Sequence, residues 1–186
     1  DDASKDNTNK ILDLFENYER IRIIRNKKNI GVAASSNIGI KAALGKYVVR
    51  VDADDFVNSE FLNQLHLFYK YNSNYFGVSC DYYYVDINGK KTRRVSSKEF
   101  PVSCGILYQK HDLVKYGLYK KSWRHREEEE LRKRLGNKYN VLNLPLPLYR
   151  YRMHGDNKTK QLNHMKDFKN KLSLKTKIRK KYKYSV

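Results

Sequence analysis

The sequence predicts an α/β fold, a mostly parallel nucleotide-binding-type sheet flanked by helices. Three observations carry this reading. Strand-like and helix-like apolar patterns alternate along the chain, as they do in parallel α/β sheets. The apolar run Tyr47-Val48-Val49-Arg50-Val51 passes directly into Asp52-Ala53-Asp54-Asp55, and in open α/β sheets ligands bind at such carboxyl ends of strands. The length, 186 residues with 40% apolar and 32% charged side chains, suits one domain with a real core and excludes a chain disordered throughout.

Taken in order, Asp6-Asn7-Thr8 supplies a helix cap, and Ile11, Leu12, Phe15 and Tyr18 follow at helical spacing. Residues 22–25 read as a short strand and Asn29-Ile30-Gly31 as a turn. Residues 32–44 read as a helix of small residues stopped by Gly45. Gly39 inside that helix costs about 1 kcal/mol relative to alanine, which hints at close packing or a ligand. After the strand at 47–51 and its aspartates, a helix capped by Asn58 or Ser59 places Phe61, Leu65 and Phe68 on one face, with Leu62 and Tyr69 beside it. Residues 76–85 form a strand, Asn88-Gly89 a hairpin turn, and 91–95 the returning strand. A strand at 103–108, a short helix at 112–116 stopped by Gly117, and a helix at 127–135 stopped by Gly136 follow. Residues 140–152 read as short strands interrupted by Pro145 and Pro147.

Several function classes are excluded early. No apolar run approaches the roughly 20 residues of a membrane span, and the opening Asp1-Asp2-Ala3-Ser4-Lys5-Asp6 has no signal-peptide pattern. Cys80 and Cys104 share no motif spacing, so neither a disulfide framework nor a zinc site is expected, and a reducing cytoplasm suits them. No Walker loop, G-x-G-x-x-G, G-x-S-x-G or H-E-x-x-H occurs. The formal charge is +19, from 39 basic and 20 acidic residues. Residues 158–186 hold 11 basic residues against one acid, so the tail alone contributes +10. Such a surface favours phosphate-rich partners. A basic nucleic-acid-binding module is the strongest competing reading, but no binding motif is present and the charge is concentrated in the tail, so no specific nucleic-acid partner is expected.

The chemistry-bearing residues fall in three places. Asp52 and Asp54 are two apart and share a side in extended geometry; their hard oxygens suit Mg²⁺ or Mn²⁺, which bridge diphosphates. The same aspartates also read as an ordinary polar loop with a helix cap. Glu127-Glu128-Glu129-Glu130 stands among Arg124, His125, Arg126, Arg132, Lys133 and Arg134. Acids at a helix N-terminus are favoured by the dipole, and one of them is also a candidate general base. In the segment 148–156, Arg150 and Arg152 alternate with Tyr149 and Tyr151, so one strand face offers guanidinium groups to phosphate, and His154 is a candidate metal ligand.

Read together, these pieces resemble family 2 glycosyltransferases of the GT-A fold. Asp1-Asp2-Ala3-Ser4-Lys5-Asp6-Asn7-Thr8 resembles D-D-G-S-x-D-x-T, and residues 29–40 resemble N-x-G-x-x-x-A-R-N-x-G-I. Residues 45–55 resemble G-x-Y-I-x-x-L-D-x-D-D, Glu127 to Leu135 resemble E-D-x-E-L-x-x-R-L, and 148–154 resemble L-Y-x-Y-R-x-H. The resemblance implies an inverting transfer of sugar from a nucleotide-sugar donor, a UDP-sugar above all, to a glycan or lipid-linked acceptor hydroxyl. It implies that Asp1 or Asp2 contacts the base, that Asp52 contacts ribose or metal, and that Asp54 binds Mn²⁺ or Mg²⁺ with His154 as a further contact. Asn37 and Arg152 join the donor site, and Glu128 is the general base. Two departures stand out: the arginine before Asn37 is Ser36 here, and the E-D pair is Glu127-Glu128. The family's first strand, helix and second strand are also not seen before Asp1, so an N-terminally truncated domain over 1–157 and a basic tail over 158–186 are expected. Such a chain is expected to be a weak enzyme or a non-catalytic remnant. The tail suits the inner face of an anionic membrane, where each Lys or Arg contributes about 1 kcal/mol.

Overall fold

A computed structural model of the chain describes residues 1–123 and 126–154. Arg124, His125 and the basic tail lie outside the described residues. Six strands form one sheet: β1 (Tyr47–Val49), β2 (Phe56–Val57), β3 (Gly77–Val85), β4 (Lys91–Val95), β5 (Leu107–Gln109) and β6 (Val141–Arg152). Their order is β1-β5-β3-β6-β2, with β4 also paired to β3. The helices are α1 (Thr8–Asp13), α2 (Val32–Ala42), α3 (Phe61–Lys70), α4 (Lys110–Lys115) and α5 (Glu127–Leu135).

The α/β class holds, but the sheet is mixed. Among the described strands only β3 and β6 pair in parallel. Connection length explains this. A tight turn through Asp86 and Gly89 (φ 81°) joins β3 to β4 and permits only antiparallel pairing. The connection from β3 to β6 carries α4 and α5, long enough for a parallel return. β5 and β4 share one edge of β3, at Gly77–Val78 and at Tyr82–Val85 respectively, while β6 takes the other edge.

The prolines do not interrupt β6. Leu144 pairs with Cys80 and Pro147 with Asp81, so Pro145 and Leu146 are bulged out of the ladder that they cannot fully join. The strand expected at 22–25 is not a ladder. It is held to the chain start by two backbone bonds, Asp1 N to Ile24 O at 2.8 Å and Asn26 N to Asp1 O at 2.9 Å, the pattern of a single parallel pairing. β2 was not anticipated, because two residues carry no periodicity.

Each face of the sheet has its own core. Leu107 joins Val78, Cys80, Tyr82 and Tyr149 beneath Phe61, Leu65 and Tyr69 of α3. Its neighbours Ile106 and Tyr108 point the other way, to Ala33 of α2, Leu113 of α4 and Leu131 of α5. On α3 the buried positions are spaced by four, and Leu62 is exposed. Truncating a side chain such as Leu65 to alanine typically costs about 2–5 kcal/mol. None of the described helices is long and apolar enough to cross a membrane.

Candidate active site

The loop after β1 is built by its carboxylates. Asp55 uses both oxygens on β6: Oδ2 accepts the Tyr149 hydroxyl at 2.7 Å, and Oδ1 accepts the Arg152 backbone N–H at 2.8 Å. The same Tyr149 oxygen accepts the Asp52 N–H at 3.2 Å. Cys104 Sγ lies 3.8 Å from Asp55 Oδ2. Tyr149 can reach both partners because Gly105 (φ 70°) lets the chain pass close to its ring; a Cβ there would lie 2.8 Å from Tyr149 Cδ2. Ligand atoms of Asp52, Asp55 and Cys104 fall within 4.8 Å of one another. Burial pushes the carboxyls of Asp52 and Asp55 up, and the Arg50 guanidinium only partly offsets this at Asp52. Burial also holds the Cys104 thiol well above its usual range, so it stays protonated.

Asp54 is the more exposed acid, and its Oδ2 lies 2.8 Å from His154 Nε2. Residues 100 apart in sequence therefore meet as two of the expected metal ligands. Carboxylate and imidazole suit Mn²⁺ or Mg²⁺ better than a protonated thiol does, so the Asp54–His154 pair fits such an ion by its chemistry, whereas the Asp52 carboxylate clusters with Asp55 and Cys104 rather than with that pair. Arg152 stands behind them: its Nε donates to Asp54 O at 2.7 Å and its Nη1 to Ile87 O at 2.5 Å, while the guanidinium lies over the Phe56 ring. It ties the aspartate loop to the β3–β4 turn.

The four glutamates separate sharply. Glu127 Oε1 accepts Arg50 Nη1 at 2.6 Å, and Arg50 Nε lies 2.9 Å from Asp52 Oδ1, an ion pair off the line of a hydrogen bond. Glu127 is thus linked to the aspartate loop. Glu128 faces the other way and is fully enclosed. Its carboxylate accepts the hydroxyls of Tyr119 at 2.8 Å, of Tyr108 and of Tyr139. Burial raises its pKa although all three phenols favour the charged form. The phenols are themselves pushed well up by burial and by the Glu128 charge, so they remain donors. Glu129 and Glu130 pair with Arg126, Lys133, Arg134 and Lys120.

Asp1, Asp2 and Asn37 are engaged by the protein itself. Asp1 accepts the Ser4 N–H and hydroxyl. Asp2 accepts the Ile30 and Gly31 N–H groups, each at 2.8 Å, at the start of α2, and Asn26 Nδ2 at 3.0 Å. Burial opposes its charge, yet these bonds hold its carboxyl below the usual value. Asn37 is buried and clamps the Tyr119 backbone, donating to its carbonyl at 2.7 Å and accepting from its N–H at 3.0 Å. The structure therefore brings Asp54, Arg152 and His154 together and sets Asp52 with Asp55 and Cys104, while Asp1 and Asp2 brace the entry to α2 and Asn37 holds Tyr119.

Two cavities adjoin these groups. One, about 510 Å³, runs from Cys104 to Tyr139 and is lined also by Ser79, Ser97, Lys98, Arg132 and Asn143. The other, about 350 Å³, is lined by Ser36, Gly39, Arg50, Tyr108 and Tyr119. A Cβ on Gly39 would meet nothing within 4 Å, so packing does not require the glycine. Sequence reasoning missed Arg50, Asp55, Cys104, Glu127 and the tyrosines around Glu128. Arg50 had a signal, being the one charge inside an apolar strand; the tyrosines had none, because sixteen of them are spread along the chain.

The family model for glycosyl transferase family 2 matches residues 1–154. An uncharacterized glycosyltransferase of Rickettsia felis is 32% identical over 100 residues, which is 54% of this chain and 16% of that protein. Glycosyltransferase GlyG of Streptococcus pneumoniae is 36% identical over 67 residues, 36% of this chain and 22% of that protein. The crystal structure of S. aureus TarS 1–349 in complex with UDP-GlcNAc superposes with a TM-score of 0.71 at 18% identity, over 87% of this chain and 50% of that one. The chain thus spans under a quarter of the length of these curated relatives and half of the TarS fragment, whose likeness establishes the fold.

Proposed function

The chain belongs to glycosyl transferase family 2, and from that premise we propose that it moves a sugar, with inversion, from a UDP-sugar to a hydroxyl of a glycan or lipid-linked acceptor. The observation that carries this reading is the meeting of Asp54 with His154 in the aspartate loop that follows β1. The TarS relative was crystallised with UDP-GlcNAc, which supports a uridine donor.

In this reading Asp54, His154 and Asp52 hold Mn²⁺ or Mg²⁺. When bound, the ion offsets charge developing on the leaving diphosphate. Asp55, Tyr149 and Arg152 anchor the loop that carries the aspartates to β6. Asp1 or Asp2 borders the base, with Asn37 and Arg152 shaping the donor site from behind. The acceptor occupies the larger cavity. Its hydroxyl oxygen bonds to the anomeric carbon as the bond from that carbon to the diphosphate oxygen breaks. The hydroxyl proton passes to the oxygen of Tyr139, a residue of the cavity lining, while Tyr139 gives its own proton to Glu128. Glu128 is thus the base, reached through one phenol. The tail at 158–186 holds the enzyme peripherally on the inner face of an anionic membrane, near a lipid-linked acceptor.

Isothermal titration with UDP and Mn²⁺ tests the donor site. Asp54→Asn removes a charged ligand and is expected to abolish most metal-dependent UDP binding. Unchanged metal-dependent binding in Asp54→Asn refutes the assignment.

A further inference from the structure

The larger cavity has a charge pattern that the transfer reaction does not itself demand. Its lining includes Lys98 and Arg132 and no aspartate or glutamate. Lys98 is exposed. Arg132 is half-buried, with its guanidinium 5.4 Å above the Tyr139 ring. Three acids of α5 serve other cations: Glu127 takes Arg50, Glu129 takes Arg126 and Lys133, and Glu130 takes Lys120 and Arg134. The fourth, Glu128, is enclosed among the hydroxyls of Tyr108, Tyr119 and Tyr139. Among the described residues, Arg132 and Lys98 have no acidic partner. Asp81, the acid beneath the cavity floor, is already committed to Arg94 at 2.8 Å.

The floor itself is built for hydroxyl groups. Ser79 Oγ and Ser97 Oγ are 2.9 Å apart, and Ser97 Oγ donates to Asn143 Oδ1 at 2.5 Å. Asn143 Nδ2 donates to Asp81 Oδ1 at 3.1 Å. This chain of bonds fixes the serine hydroxyls and the amide along one wall. Two cations without acidic partners, lining the same cavity as a row of oriented hydroxyls, form an arrangement that recognises a polyol carrying negative charge. Arg132 is the more selective element, since its planar fork, steadied on Tyr139, matches two oxygens of a phosphate or carboxylate at once.

We propose that this cavity selects an acidic acceptor, a sugar or polyol bearing a phosphate or carboxylate, through Arg132 and Lys98. The proposal rests on the glycosyltransferase reading above for the word acceptor, and on the cavity alone for the charge. Tyr139 then has two duties: it supports the Arg132 guanidinium with its ring and faces the acceptor hydroxyl with its oxygen.

The test uses three hexoses that differ in charge: glucose 6-phosphate, glucuronate and methyl glucoside. Each is titrated calorimetrically into the full chain and into Lys98→Gln, Arg132→Gln, Arg132→Lys and the double glutamine variant, with UDP and Mn²⁺ titrated in parallel. The parent is expected to bind the charged hexoses at least tenfold more tightly than methyl glucoside, and the stronger of the two identifies phosphate or carboxylate. The double variant is expected to lose that preference, while Arg132→Lys keeps part of it. Equal binding of all three hexoses overturns the proposal. So does a preference that survives in the double variant, since the selecting charge then lies elsewhere, for instance in the tail. If the preference appears as expected but UDP fails to bind, the donor reading falls and the anionic cavity stands. If UDP binds and no preference appears, the cavity proposal alone falls. Lys98 is exposed, so Lys98→Gln reports on charge even if replacing Arg132 impairs folding.

Discussion

Neighbouring glutamates at the start of α5 should fail in different ways when each is changed to glutamine. Glu128→Gln removes proton acceptance inside the tyrosine cage and keeps the shape. Its expected effect is a fall in kcat of about 10²–10⁴-fold, or about 3–5 kcal/mol of transition-state stabilisation, with donor KM nearly unchanged. Glu127→Gln acts on Arg50 instead. It replaces a charged bond at 2.6 Å by a neutral one and leaves Asp52 as the remaining carboxylate on that guanidinium. A hydrogen bond to a charged group contributes about 1.5–3 kcal/mol, so stability should drop by up to that amount. Asp52, drawn further toward Arg50, should bind the metal less well, and donor KM should rise. Stability against pH gives a second readout. Burial raises the folded pKa of Glu128 above its unfolded value. The neutral acid therefore contributes stability that is fully present below the unfolded pKa and is lost as pH rises through the folded one. In the difference between parent and Glu128→Gln that loss should appear as a slope with this sign, starting at the ordinary glutamate range and ending at the raised folded pKa. Steady-state kinetics with a sugar-nucleotide donor and thermal melts between acid and neutral pH measure both effects. The reasoning is refuted if Glu127→Gln lowers kcat at constant donor KM while Glu128→Gln does not.

Other outcomes follow from packing, backbone geometry and charge. Gly105→Ala forces a Cβ to within 2.8 Å of the Tyr149 ring at φ 70°, so it should cost about 2 kcal/mol or more and weaken UDP binding through the displaced Asp55; an unchanged Tm would contradict this. Ala3 has φ 60°, where the resembling D-D-G-S motif has glycine, so Ala3→Gly should raise stability by about 1 kcal/mol in urea titrations. Removal of residues 158–186 should abolish sedimentation with anionic liposomes, and equal binding with and without them removes the membrane role.

Local pattern determined much of this protein. The spacing of Phe61 and Leu65, the Asn88-Gly89 turn and the run from Tyr47 into Asp52 each act within a few residues, so helix, hairpin and aspartate loop were legible as sequence. The glutamate helix fell at the expected residues, 127–135, for the same reason. Strand direction was not legible, because pairing partners are chosen by connection length and by competition for the two edges of β3. The prolines in β6 misled for a related reason: a bulge tolerates them, and a bulge is visible only once the partner strand is in place. Site chemistry divides along the same line. Asp54 and His154 were named from motif, but their 2.8 Å contact joins residues 100 apart and depends on Tyr149 and Arg152 holding β6 against the loop. Glu127 and Glu128 are chemically alike in sequence. Successive helical residues project about 100° apart, and that rotation alone sends one to Arg50 and the other among three phenols. Only the packing of α5 on the sheet decides which carboxylate meets which environment.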